Sequence, residues 1–200
     1  MDEPFRAYIE RELGSRVVLI ACGLPASGKT RSTEIAARLK GYIVLRTDIL
    51  RLEVFKDLDV FNEKLASDMG KREEVYEEVF RMAGRFAGLG IGLVMDATFA
   101  TQALRRRAAR VAVENNMTLV IQETRCPEEV SIRRILARSR GEYDSNALTE
   151  QAYFNNKAVF EPVDLDKLLS GLPSLSVEHI VVDTTSDHAE DWAVIHQDRR

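Results

Sequence analysis

The run Gly23-Leu24-Pro25-Ala26-Ser27-Gly28-Lys29-Thr30 fills every fixed position of the pattern GxxxxGK[ST]. Gly23 and Gly28 let the backbone curl until successive amide N–H groups point inward at phosphate oxygens. The helix expected behind the loop adds its positive N-terminal end. Lys29 is placed to bridge the β- and γ-phosphates, and the Thr30 hydroxyl to ligate Mg²⁺. The run is therefore the expected binding site for ATP with Mg²⁺. The bland alternative is a glycine turn carrying a surface lysine.

Missing motifs narrow the chemistry. The guanine-reading pattern NKxD does not occur; Asn156-Lys157-Ala158-Val159 lacks its aspartate. Asp96 ends an apolar stretch, but Ala97 stands where water-activating ATPases often place a glutamate. There is no LSGGQ-like signature of the transporter ATPases. These features favour transfer to a bound acceptor over hydrolysis.

Asp48 follows a second apolar stretch, and Arg51 comes one helical turn later. At the carboxyl end of a parallel strand, a carboxylate faces the ligand crevice. There Asp48 would accept the proton of a hydroxyl attacking the γ-phosphate, and Arg51 would hold an anionic part of the acceptor. The plainer alternative makes Asp48 the cap of a helix beginning at Ile49. Asp96 is open between the Mg²⁺ shell, an acceptor contact and a cap, with the first two favoured. Arg133, Arg134, Arg138 and Arg140 lie on or just after a helix opened by Pro127. Arg134 and Arg138 share a face of it. Arginines there would stabilise the charge that spreads over a transferring phosphoryl group, or be solvated surface residues.

The elements needed to position these groups are legible. Val17–Cys22 reads as a buried strand, and Lys29–Leu39 as a helix stopped by Gly41. Tyr42–Leu45, Ile91–Met95, Thr118–Gln122 and His179–Asp183 read as further strands. Helices are expected over Ile49–Phe55, Glu63–Leu89, Thr101–Glu114, from Pro127 onward and over Thr149–Phe160, with a short one after the fifth strand. Continuous apolar strands alternating with helices imply one α/β domain over 1–200, its parallel sheet covered on both faces. Residues 1–16 form a helical extension, and about 127–161 a lid with its following helix.

Composition bounds the partners. The 200 residues are 45% hydrophobic and 30% charged, ordinary for a globular protein, with a net charge of −4. That balance argues against a protein that coats DNA. Charge is unevenly spread, however: 105–140 carries nine arginines against four acids, which suggests a local anion site. Cys22 and Cys126 are too few for a disulfide framework. The longest apolar run, Val17–Cys22, is far short of a membrane span, and the acidic start shows no targeting segment. The expected location is cytoplasmic, with no membrane partner. The three histidines are too scattered for a metal site, and Trp192 is expected to serve packing.

GLPASGKT, RTDILR, GLVMDATF with Arg105–Arg107 behind it, and the arginine helix together resemble the small P-loop kinases related to polynucleotide kinase. The same group holds the zeta-toxin and chloramphenicol phosphotransferase types. The likeness runs over about residues 17–185 and includes DSNA (144–147) and FEP (160–162). It implies a three-layer P-loop NTPase sandwich with a five-stranded parallel sheet ordered 2-3-1-4-5 and a helical lid. It also implies Asp48 as general base, Arg134 and Arg138 as phosphate contacts, and adenine near Thr184-Thr185-Ser186. The leading reading is an ATP- and Mg²⁺-dependent kinase acting on a small hydroxyl acceptor. One alternative is a nucleic-acid 5′-hydroxyl kinase using Arg51 and Arg105–Arg110; another is an ATP-binding regulatory module with little turnover.

Overall fold

The computed structural model describes residues 2–47, 49–50, 69–137 and 149–200. Asp48, Arg51, Arg138 and Arg140, the expected helix over Ile49–Phe55 beyond Leu50, and the DSNA segment lie outside the described residues. In chain order the strands are β1 (Glu3–Pro4), β2 (Val17–Cys22), β3 (Ile43–Arg46), β4 (Leu93–Asp96), β5 (Thr118–Arg125), β6 (Val177–Asp183) and β7 (Ala193–Arg199). The helices are α1 (Phe5–Glu12), α2 (Lys29–Lys40), α3 (Met69–Gly88), α4 (Gln102–Glu114), α5 (Glu128–Leu136), α6 (Glu150–Val159) and α7 (Leu165–Leu169).

The sheet order is β1-β7-β6-β5-β2-β4-β3. Its centre, β3-β4-β2-β5-β6, is parallel throughout and follows the expected 2-3-1-4-5 order. The expectation of five strands needs correction, because β7 joins β6 antiparallel and β1 pairs with β7, making a mixed sheet of seven strands among the described residues. Ala193–Arg199 is thus a strand where the sequence suggested helix. Only Val194 of β7 is buried, so no continuous apolar run announces it. Its place comes from backbone pairing with β6 and from Arg199, which bridges Glu178 and Glu12, each at 2.9 Å.

Every residue of β2 is buried, as a strand covered on both faces must be. Val18, Ile20 and Cys22 point to a core with α3, α4 and α7, while Val17 and Leu19 point to one with α1 and α2. Helix starts are capped where the sequence supplies an oxygen: Thr101 accepts from the Leu104 N–H, Thr149 from Ala152 and Asp164 from Lys167. Gly41 closes α2 in the left-handed region, at φ 70°. The result aims the carboxyl ends of β2, β3, β4 and β5 at one rim, where the loop after Cys22 begins.

Candidate functional site

The loop from Gly23 to Gly28 alternates backbone hand. Gly23, Ala26 and Gly28 have φ of 138°, 59° and 85°, the alternation that turns consecutive N–H groups into an anion-binding concavity. Its neighbours leave no slack. A Cβ on Gly23 would stand 2.7 Å from the Thr124 carbonyl and 2.8 Å from both Ser27 Oγ and Thr124 Oγ1. Ser27 Oγ lies 2.7 Å from Thr124 Oγ1, and Thr184 Oγ1 donates to the Ser27 carbonyl at 2.8 Å. Lys29 Nζ donates back over the loop to the Leu24 carbonyl at 2.7 Å. Behind the loop, Gln122 Nε2 donates to Ser32 Oγ at 2.8 Å, seating α2 on β5.

Two residues outside the loop support it, and Trp192 serves packing, as expected. Thr184, expected to touch nucleotide, is fully buried and spends its hydroxyl on the carbonyls of Ser27 and Arg125, bracing the phosphate loop. Trp192 packs against Gly28, its Nε1 donates to the Ser186 carbonyl at 2.8 Å, and Arg31 lies 5.6 Å from its ring centroid. Nothing in its sequence neighbourhood ties Trp192 to the phosphate loop; only the β6–β7 turn brings it there.

Asp96 ends β4, directly beside β2, and is 6% exposed. Its backbone carbonyl accepts from Thr47 Oγ1 at 3.2 Å, and Arg46 Nε lies 3.6 Å from its carboxylate. The phosphate loop, Asp96 and Thr47 therefore share the crevice at the carboxyl ends of adjacent strands. Thr30 stands in the first turn of α2. A hydroxyl and a carboxylate are hard oxygen donors of the kind Mg²⁺ takes. Among the described residues no group of three or more His, Cys, Asp or Glu could hold a metal unaided. An ion here would lean on phosphates and water, as Mg²⁺ ordinarily does.

The arginines fall into separate roles. Arg134 donates to the carbonyls of Thr184 and Ser186 at 2.9 Å, Thr185 at 3.3 Å and Ala26 at 3.4 Å, and Nε reaches Asp187 Oδ1 at 2.9 Å. It clamps the loop after β6 to the phosphate loop. Arg133 pairs with the same Asp187 at 3.0 Å, and hydrogen bonding from Arg134 holds the Asp187 carboxyl below its usual range. Within the Arg105–Arg110 cluster, Arg105, Arg106 and Arg107 each have partners inside the chain. Arg105 is fully buried, Arg106 donates to the carbonyls of Lys167 and Ser170, and Arg107 pairs with Glu73 and Glu77 while lying over Phe80. Burial pushes the Cys22 thiol up to about 11, which makes it an inert core residue.

A model of the AAA domain matches residues 18–163, most of the chain. The chain belongs to the AAA domain family. The uncharacterized protein Rv2004c of Mycobacterium tuberculosis is 31% identical to this AAA-family chain over 140 residues, 66% of the chain. The chain spans only 27% of that relative's length. Among solved structures, a provisionally assigned kinase from Chloroflexus aurantiacus superposes with a TM-score of 0.66, covering 86% of this chain and 90% of its own at 17% identity. A gluconokinase from Sinorhizobium meliloti gives 0.57, with 87% and 86% covered at 15% identity. The AAA-family chain thus has a kinase-like P-loop NTPase fold. Its matched segment carries the phosphate loop, Asp96, and α3 to α6, and leaves β6, β7 and Trp192 outside. No helix among the described residues is long and apolar enough to cross a membrane.

Proposed function

We propose that this chain is an ATP- and Mg²⁺-dependent kinase that transfers the γ-phosphoryl group to the hydroxyl of a small acceptor. The supporting observation is the phosphate loop, with its alternating φ and clash-limited Gly23, opening beside Asp96 at the ends of adjacent parallel strands. In this reading loop N–H groups such as those of Ala26 and Gly28 hold the β-phosphate, and Lys29 leaves the Leu24 carbonyl to bridge the β- and γ-phosphates. Thr30 and Asp96 would hold Mg²⁺, which neutralises charge developing between those phosphates. Asp48, next in sequence after Thr47, takes the proton of the attacking hydroxyl, and Arg51 holds an anionic group of the acceptor. Arg134 keeps the loop of Thr184 in place, and Arg138 is the arginine we assign to the transferred phosphoryl group.

The small-acceptor preference gains weight from the arginines. A nucleic-acid kinase would use Arg105–Arg110 on phosphates, yet Arg105 is buried and Arg106 and Arg107 are engaged by acceptors of the same chain. The test is transfer from γ-labelled ATP to panels of sugar acids, hydroxyl-bearing antibiotics and 5′-hydroxyl oligonucleotides. Transfer to a small-molecule hydroxyl is expected. Steeply salt-dependent transfer to oligonucleotides would reverse the acceptor assignment, and nucleotide binding without transfer to any panel member would favour a regulatory module.

A further inference from the structure

Arg105 is the largest fully buried side chain among the described residues. Its guanidinium stays charged, and enclosing a charge is costly unless each donor finds a partner. Nε donates to the Phe99 carbonyl at 2.9 Å, and Nη1 to Gln102 Oε1 at 2.6 Å and the Pro162 carbonyl at 3.0 Å. Nη2 reaches the carbonyls of Glu161 at 2.7 Å and Ala100 at 3.2 Å, and Cys22 Sγ at 3.4 Å. None of these acceptors is a carboxylate. The Phe160 ring lies 5.3 Å from the guanidinium carbon, a cation–π contact that adds to its enclosure.

The acceptors come from three stretches distant in sequence. Cys22 is the last residue of β2, immediately before the phosphate loop. Phe99 and Ala100 belong to the turn that follows Asp96. Glu161 and Pro162 belong to the segment after α6. Phe99 itself has φ 42°, a conformation rare for a bulky residue. Such a backbone persists only where its surroundings over-determine it. Arg105 grips the Phe99 carbonyl while Tyr76 and Phe80 pack edge-on against its ring, at 5.9 and 6.2 Å between centroids.

An apolar residue of similar volume would fill this core without the desolvation cost. What only the planar fork can do is hold carbonyls from separate segments at fixed angles. We propose that Arg105 is a positioning residue for the phosphate site: it locks the turn after Asp96 to the root of the phosphate loop at Cys22. It thereby sets where the Asp96 carboxylate stands relative to Thr30. The proposal rests on the nucleotide reading above.

The test needs no acceptor. ADP affinity is followed by Trp192 emission, with Mg²⁺ and with a chelator, in the wild type, Arg105→Lys, Gln102→Ala and Leu119→Ala. Arg105→Lys keeps the charge and loses the fork. Its metal-free affinity is expected within about threefold of wild type, while the gain from Mg²⁺ falls by about tenfold or more, the scale of an ångström-sized misplacement. Gln102→Ala removes one acceptor of Arg105 and should lose part of the same gain, which decides the matter should Arg105→Lys fail to fold. Leu119→Ala, in the core at the far end of β5, should lower the melting temperature and leave the Mg²⁺ gain intact. An unchanged gain in Arg105→Lys, or in Gln102→Ala where the lysine variant does not fold, overturns the proposal. So does an equal loss in Leu119→Ala. Wild-type protein that binds ADP with no gain from Mg²⁺ overturns it together with the role of Asp96. Wild-type protein that binds no ADP refutes the nucleotide reading itself.

Discussion

The indole of Trp192 lies against Gly28: a methyl group on that glycine would stand 3.0 Å from Trp192 Cη2 and 3.3 Å from Cζ2. Trp192 is the single tryptophan of the chain, so the second glycine of the phosphate loop carries its own fluorescent neighbour. The ring reaches this position through the turn between β6 and β7. Arg31, in the first turn of α2, has its guanidinium carbon 5.6 Å from the Trp192 ring centroid and donates to the Asp187 carbonyl at 2.7 Å.

Nucleotide binding should therefore change Trp192 emission. It should also raise the melting temperature, since a ligand at a hundred times its Kd stabilises the native state by about 2.7 kcal/mol. Lys29→Ala should remove most of both effects while leaving the ligand-free melting temperature within a few degrees of wild type. A full ATP-dependent shift in Lys29→Ala would rule out the phosphate-loop assignment.

Arg134 offers a test between holding and catalysis. With its guanidinium wrapped by the carbonyls of residues 184–186 and by Asp187, Arg134→Lys should raise the KM for ATP and leave kcat at saturating ATP within a few-fold. A transition-state arginine is worth roughly 10³–10⁵ in kcat. A loss of that size at saturating ATP would return Arg134 to the reacting phosphate.

Asp48→Asn keeps shape and hydrogen bonding but removes the base. Transfer should fall by roughly 10²–10⁴ while ATP affinity, read from Trp192, is unchanged. Normal transfer with a lowered melting temperature would leave Asp48 as a helix cap.

Glu123 links the active rim to pH. Burial pushes its carboxyl up, but hydrogen bonds from His179 Nε2 at 2.9 Å and Arg125 Nε at 2.6 Å pull it further down, below the ordinary 4.5. A depressed carboxyl contributes stability above the unfolded value, and that contribution is lost as pH falls through the lower folded value. Urea midpoints should therefore drop on acidification below about pH 4.5, the unfolded carboxyl range. Glu123→Gln should be less stable at pH 7 and show a shallower drop over the same interval. Identical pH slopes in the two proteins would remove Glu123 from the acid response.

Much of this arrangement follows from local chemistry along the chain. The loop from Gly23 to Thr30 needs glycines where backbone must turn left-handed and a lysine and hydroxyl where phosphate must be met, so its sequence states its geometry. Val17–Cys22 was legible because a strand buried on both faces is apolar at every position, and the other four parallel strands because each carries a short apolar run. Ala193–Arg199 was not, because a strand with one buried residue is specified by its neighbour's free N–H and C=O groups rather than by its own pattern. The arginines are the sharpest case. Arg105, Arg106, Arg107 and Arg134 look alike in sequence, as basic residues on amphipathic helices. Tertiary packing made one a buried knot, two of them surface ties and one a loop clamp, because a guanidinium goes wherever the fold leaves carbonyls and carboxylates unsatisfied, and those acceptors arrive from segments up to 108 residues away.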